Sequence, residues 1–185
     1  MLTMDDVVTL SFCSEELEAA GVFANARKAT IGGKSLIFGE GRSQAEVVQS
    51  NLTGQICEYA CSLYLTGSSE SYQMSRRRAN ANPHSSDYGK DIPGHSIDIK
   101  GTRMQPNHRN PLLYNLIVRH KDWKPNWEYI LALLQGEFTV YIIGYIHSGK
   151  MPPASEGRFG YSHVMPACKL WSLKEAKGCL SNWKA

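Results

Sequence analysis

The sequence predicts an α/β protein, on three observations. A long run with helical spacing comes first, three apolar strand runs follow it, and Gly, Pro, Ser and Asn separate the two. From Ser43 to Leu65, Val47, Val48, Leu52, Ile56, Tyr59, Ala60, Leu63 and Tyr64 recur at three- and four-residue intervals, and Gly67 supplies a stop. The strand runs are Leu112 to His120, Tyr129 to Leu134 and Thr139 to Ile146. The last two are joined by Gln135-Gly136-Glu137. TVYIIGYI is almost continuously apolar and β-branched or aromatic, as in a strand covered on both faces.

The flanking segments are plainer. Ser14, followed by Glu15, Glu16 and Glu18, predicts a short helix over residues 14 to 28. Gly32-Gly33-Lys34-Ser35 lacks the upstream glycine of a phosphate-binding loop and reads as the turn before a short strand, Ser35 to Phe38. Residues 68 to 86, rich in Ser, Arg and Asn, predict an exposed connection. Pro93-Gly94 divides two further strand runs. The last third reads as loops before a short helix near Ser172 to Leu180.

A chain of 185 residues, 42% hydrophobic and 20% charged, suits one globular domain with its own core. The net charge of +3 and pI near 8.6 lean only weakly towards a polyanionic partner. Five cysteines, with no CxxC pair, fit a reduced, cytoplasmic protein. Cys57 and Cys61, at i and i+4, fit a core stripe better than a metal site. No stretch approaches 18 apolar residues, and Asp5 and Asp6 stand where a signal peptide wants basic residues, so neither a membrane span nor secretion is expected.

The chemistry concentrates in DIPGHSIDIK, Asp91 to Lys100. With Pro93-Gly94 as a two-residue hairpin turn, Asp91 lies opposite Ser96, and alternation puts Ser96, Asp98 and Lys100 on one face. Asp91, Asp98 and Lys100 then converge. Two carboxylates so placed repel unless a cation sits between them, and magnesium, a hard ion, suits carboxylates and water. Such an ion polarises a phosphate oxygen and acidifies bound water, while Lys100 orients that water or stabilises transition-state charge.

The pattern D-x6-D-x-K, Asp91 then Asp98-Ile99-Lys100, resembles the PD-(D/E)XK nuclease superfamily, which includes restriction endonucleases, Holliday junction resolvases and phage exonucleases. DYGKDIPGHSIDIKGT looks especially like restriction-endonuclease-like proteins of phages and bacteria. The match departs from the superfamily pattern at Lys90, where proline is common, and at Asp98, where glutamate is commoner. Gly54-Gln55-Ile56-Cys57-Glu58 is similar to the G-x-x-x-E text that members often carry on the preceding helix.

Over residues 43 to 146 the resemblance implies a restriction-endonuclease-like core, a mixed sheet flanked by helices. Its strands would be Ile97 to Gly101, Asn115 to Arg119, Tyr129 to Leu134 and Thr139 to Ile146. It implies a magnesium-dependent deoxyribonuclease, with manganese as substitute, in a bacterial or phage-infected cell. The ligands would be Asp91 (or Asp87 in its place), Asp98, the Ile99 carbonyl and Glu58, with Lys100 stabilising charge. Glu58 reads equally well as one half of a salt bridge.

DNA contacts are expected from Arg76, Arg77, Arg78, Arg103, Arg109, Arg119, His120 and Lys121. His120 reads as well as a buried, hydrogen-bonded histidine, and Trp123 and Trp127 as core residues. Cutting two strands favours a homodimer, since a two-fold axis matches paired scissile phosphates. An endonuclease is the expectation; a nucleic-acid-binding protein of this fold without activity, a Holliday junction resolvase or exonuclease of the same superfamily, and a nuclease acting on RNA are the competing ones.

Overall fold

A computed structural model describes residues 1–31, 43–81, 91–158 and 160–176. Helices α1 (Ser14–Ala19), α2 (Val22–Ile31), α3 (Gln44–Thr66) and α4 (Glu70–Ala81) precede most of the strands. The strands are β1 (Val8–Ser11), β2 (Ile97–Arg103), β3 (Asn115–Arg119), β4 (Glu128–Gln135), β5 (Thr139–His147) and β6 (Ser162–Pro166). A last helix, α5 (Leu173–Ala176), follows.

Four strands form a mixed sheet in the order β1-β5-β4-β2, with β2 parallel to β4 and the other pairs antiparallel. Helices cover one face: Ile56, Cys57, Ala60 and Cys61 of α3 are fully buried with Leu17, Val22, Tyr72, Ile97, Ile99, Ile130 and Ile142. The opposite face carries a two-stranded antiparallel sheet, β3 with β6. Its Leu116, Val118 and Met165 meet Tyr129, Leu131, Leu133 and Ile143. The burial of β4 and β5 on both faces follows from their near-continuous apolar sequence.

Helix α3 begins where expected. Ser43 Oγ accepts from the Glu46 N–H and the Glu46 carboxylate accepts from the Ser43 N–H, a capping box. Gly67, in the left-handed region at φ 74°, ends it. Helix α3 lies close on β2: a Cβ placed on Gly101 would stand 2.8 Å from Cys57 Cβ and 3.3 Å from Gly54 Cα. Gly101 thus sets how nearly the Glu58 helix approaches the Asp98 strand, whereas a Cβ on Gly54 would meet nothing within 4 Å.

Several expectations are corrected. The helix over 14 to 28 is two helices broken at Gly21, whose φ of 74° ends the first, and Cys13, not Ser14, is its N-cap residue. Residues 70 to 81 form a helix, because Tyr72 and Ser75 bury against α3 while Arg77 faces out. Asn115–Arg119 leaves the main sheet to pair with β6, and β1, from outside the expected core, takes the edge beside β5.

Asp91 and Ile92, the described residues directly before Pro93-Gly94, do not form a strand. The His95 N–H closes a turn on the Ile92 carbonyl, with Gly94 at φ 82° in the third position, the arrangement of a type II turn. Such a turn splays its arms, whereas a tight hairpin takes the mirror-image turns. Asp87, Lys90 and the segment Gly32 to Phe38 lie outside the described residues, as do residues 177–180 of the helix expected near Ser172 to Leu180.

No helix among the described residues is long and apolar enough to cross a membrane.

Candidate active site

Strand β2 is an edge strand, so one side of its backbone needs partners from elsewhere. Asp91 supplies them. Its N–H donates to the Ile97 carbonyl at 3.1 Å, and its Oδ2 accepts from the Ile99 N–H at 2.6 Å. Asp91 therefore sits beside Ile97 to Ile99, not opposite Ser96. The Ile99 carbonyl leaves the strand on this same edge, because the N–H and C=O of one strand residue point the same way.

Side-chain alternation sends Ile97 and Ile99 to the helical face and Asp98 and Lys100 to the other. Lys100 Nζ lies 2.8 Å from Asp98 Oδ2, in agreement with the expectation that they share a face. Asp98 is buried and Lys100 partly exposed, so the pair opens outward at its lysine end.

Glu58 projects from α3 towards Asp91, with Arg76 of α4 between them. Arg76 Nη2 lies 2.9 Å from Glu58 Oε2 and 3.3 Å from Asp91 Oδ1. Gln55 donates to Glu58 Oε2 at 3.3 Å and accepts from the Tyr72 hydroxyl at 2.8 Å, which fixes α4 against α3 at this point. Arg76, expected at the DNA surface, turns inward. The reason is local: Tyr72 and Ser75 bury one side of α4, and two carboxylates wait beside the arginine on that side.

Burial raises the Asp91 carboxyl well above the usual range, and the charges of Glu58 and Asp98 add to this. Arg76 and the Ile99 N–H pull the other way. Burial also raises Asp98, against the pull of Lys100 and, more weakly, Lys124. Burial pushes the thiols of Cys57 and Cys61 upward as well, which keeps them neutral core residues.

Among the described residues no three His, Cys, Asp or Glu side chains draw close enough together to hold a metal between them. Glu58 and Asp91 lie with Arg76 on one side, and Asp98 lies with Lys100 on the other.

The remaining basic residues divide by position. Arg119, His120 and Lys121 stand at the end of the sheet where Asp98 lies, Arg119 paired with Asp122 at 2.7 Å. Arg103 ends β2, five residues beyond Asp98 or about 17 Å along the strand. It donates to the Gly136 carbonyl at 2.6 Å. Arg109 follows in an exposed stretch, Arg77 is exposed, and the Arg78 side chain is outside the described residues.

Sequence reasoning missed the loop over Asp98. Tyr129, directly across from Asp98 in β4, accepts from the Lys124 N–H at 2.7 Å and donates to the Asp122 carbonyl at 3.4 Å. Lys124 also lies over the Trp127 ring at 4.0 Å. No spacing rule marks Lys124, since a loop brings it back to the site. Trp127 is buried and Trp123 half-buried, as core residues should be.

No protein-family model, no curated protein and no solved structure matches the chain.

Proposed function

We propose that the protein is a magnesium-dependent nuclease that hydrolyses DNA phosphodiester bonds, built on a restriction-endonuclease-like core and acting as an endonuclease. One observation carries the reading. Asp98 and Lys100 form an ion pair on one strand, and the buried Asp91 carboxylate binds the backbone of Ile99, the residue between them. The mixed sheet, with helices on one face and this strand at its edge, supports the core assignment.

The donors suit a hard cation. Asp91 and Asp98 are buried, the Asp98 charge works against ionisation of Asp91, and the Ile99 carbonyl opens on the Asp91 side. To hold magnesium, or manganese in its place, Asp91 and Glu58 would have to turn from Arg76 towards Asp98 and the Ile99 carbonyl, because the three carboxylates are not gathered around one point. When bound, the ion supplies Lewis-acid polarisation of the phosphate and a more acidic water. Lys100, fixed by Asp98 and open to solvent, donates to the oxygens that gain charge as water attacks phosphorus. Lys121 and Lys124 offset backbone phosphates at the same end of the sheet.

A second reading, a nucleic-acid-binding protein of the same fold that does not cut, has one observation in its favour. Arg76 already bridges Glu58 and Asp91, where a cation would otherwise sit.

The test is incubation with supercoiled, linear, branched and single-stranded DNA and with RNA, in magnesium, manganese or chelator. Metal-dependent nicking of supercoiled DNA is expected. Cutting only at ends or only at branches moves the assignment to an exonuclease or a junction resolvase. Binding without cutting on every substrate favours the second reading.

A further inference from the structure

Two histidines at the Asp98 end of the molecule form a hydrogen-bonded chain. His163 Nδ1 lies 2.8 Å from the Pro152 carbonyl, and His163 Nε2 lies 3.1 Å from His120 Nδ1. A carbonyl oxygen only accepts, so His163 donates from Nδ1. In the neutral ring its Nε2 is then an acceptor, and His120 donates from Nδ1. That leaves His120 Nε2, on an exposed side chain, without a hydrogen-bond partner among the described residues.

The packing holds this arrangement. His163 is buried and stacks on Trp123 at 5.5 Å and 26° between planes, and Tyr161 meets His120 edge-on at 5.1 Å. His120 opens the 3-10 turn His120–Asp122, the loop that Tyr129 ties down across from Asp98. The charges of Asp122 and Lys124 reach Asp98, which places the loop beside the Asp98–Lys100 pair.

We propose that His120 and His163 form a phosphate clamp: His163 is a positioning residue that fixes the His120 ring so that protonated Nε2 donates to a non-bridging oxygen of the nucleic-acid backbone. The clamp rests on the nucleic-acid reading above and adds to it the atom that makes the contact and the residue behind it. A proton taken from solvent at His120 Nε2 leaves the His120–His163 bond intact, whereas one taken at His163 Nε2 breaks it. The added charge therefore sits on the outward side. The charged and titratable groups around His120 are Arg119, Lys121, Asp122 and Lys124 from its own segment, with His163 and Tyr161 from the β6 side. Arg119 and Asp122 already pair with each other.

Two measurements test the clamp. Long-range proton–nitrogen spectra of 15N-histidine protein near neutral pH should show His120 and His163 both protonated on Nδ1, and an Nε2–H tautomer at His120 overturns the clamp. Binding of a fluorescent duplex in chelator, where nothing is cut, should tighten by about five- to tenfold on acidification from neutral pH in the parent protein. His120→Gln should remove most of that gain. His163→Ala should do likewise, and His163→Gln, which can both donate to Pro152 and accept from His120, should restore part of it.

An unchanged pH response in His120→Gln, or no duplex binding at any pH, overturns the proposal. Failure of metal-dependent cleavage alongside an intact pH response removes the nuclease reading and leaves the clamp standing. Cleavage with no His120 dependence of binding does the reverse.

Discussion

The Asp91 carboxylate accepts from the Ile99 backbone N–H at 2.6 Å, so an acid outside the sheet is fastened to the strand carrying Asp98 and Lys100. The bond satisfies a buried donor that the edge strand would otherwise leave unpaired. Asp91→Ala should therefore cost about 1–3 kcal/mol of stability, read from urea unfolding midpoints. Asp91→Asn keeps an acceptor in place and should cost much less, while losing divalent-cation binding as fully as alanine does. Equal destabilisation by the two variants would mean that the hydrogen bond is not what matters there.

The same burial predicts a pH dependence. Asp91 and Asp98 are raised in the folded state, so folding favours their protonated forms. Their contribution is fully present below the ordinary carboxylate pKa of about 4 and is lost as pH rises through the raised folded values. In chelator, stability should fall more steeply as pH rises above the ordinary carboxylate range in the parent protein than in Asp91→Asn. Magnesium should recover stability in the parent protein at the higher pH and not in the variant. Parallel pH profiles would contradict it.

Gly101→Ala tests the helix–strand spacing. The new Cβ would meet Cys57 Cβ at 2.8 Å and Gly54 Cα at 3.3 Å, so α3 must move off β2. A loss of about 1–3 kcal/mol is expected from the overpacking. Cleavage should fall too, because α3 carries Glu58. Thermal melts and plasmid nicking measured on one preparation read both effects.

Position along β2 separates two basic residues that look equivalent in sequence. Lys121 is exposed at the Asp98 end, whereas Arg103 is tied to the Gly136 carbonyl at the other. Lys121→Ala should make the dependence of log affinity on log salt shallower by about 0.9, as expected for one lost phosphate contact. Arg103→Ala should leave that slope unchanged on a short duplex. Fluorescence anisotropy at four salt concentrations in chelator distinguishes them.

Much of this arrangement was legible where local physics decides it. The helical span from Ser43, the Gly67 stop, the apolar run of β5 and the shared face of Asp98 and Lys100 all follow from spacing. What pairing decides was not legible. Periodicity says that Asn115–Arg119 is a strand but not that it joins β6, and nothing in VTLS announces an edge strand beside β5. The run Arg76 to Arg78 reads as a solvated surface. Only the fold reveals that Glu58 and Asp91 face Arg76, and that His163 lies behind His120.

If Asp98 and Lys100 mark a site of phosphodiester hydrolysis, Lys100→Ala should lose the nicking of supercoiled plasmid. Lys100 is partly exposed and its ion pair is with Asp98 alone among the described residues, so the variant should fold normally. The parent protein should nick in a magnesium-dependent way, and the variant should be slower by at least about 100-fold. Nicking that survives Lys100→Ala undiminished would contradict the assignment.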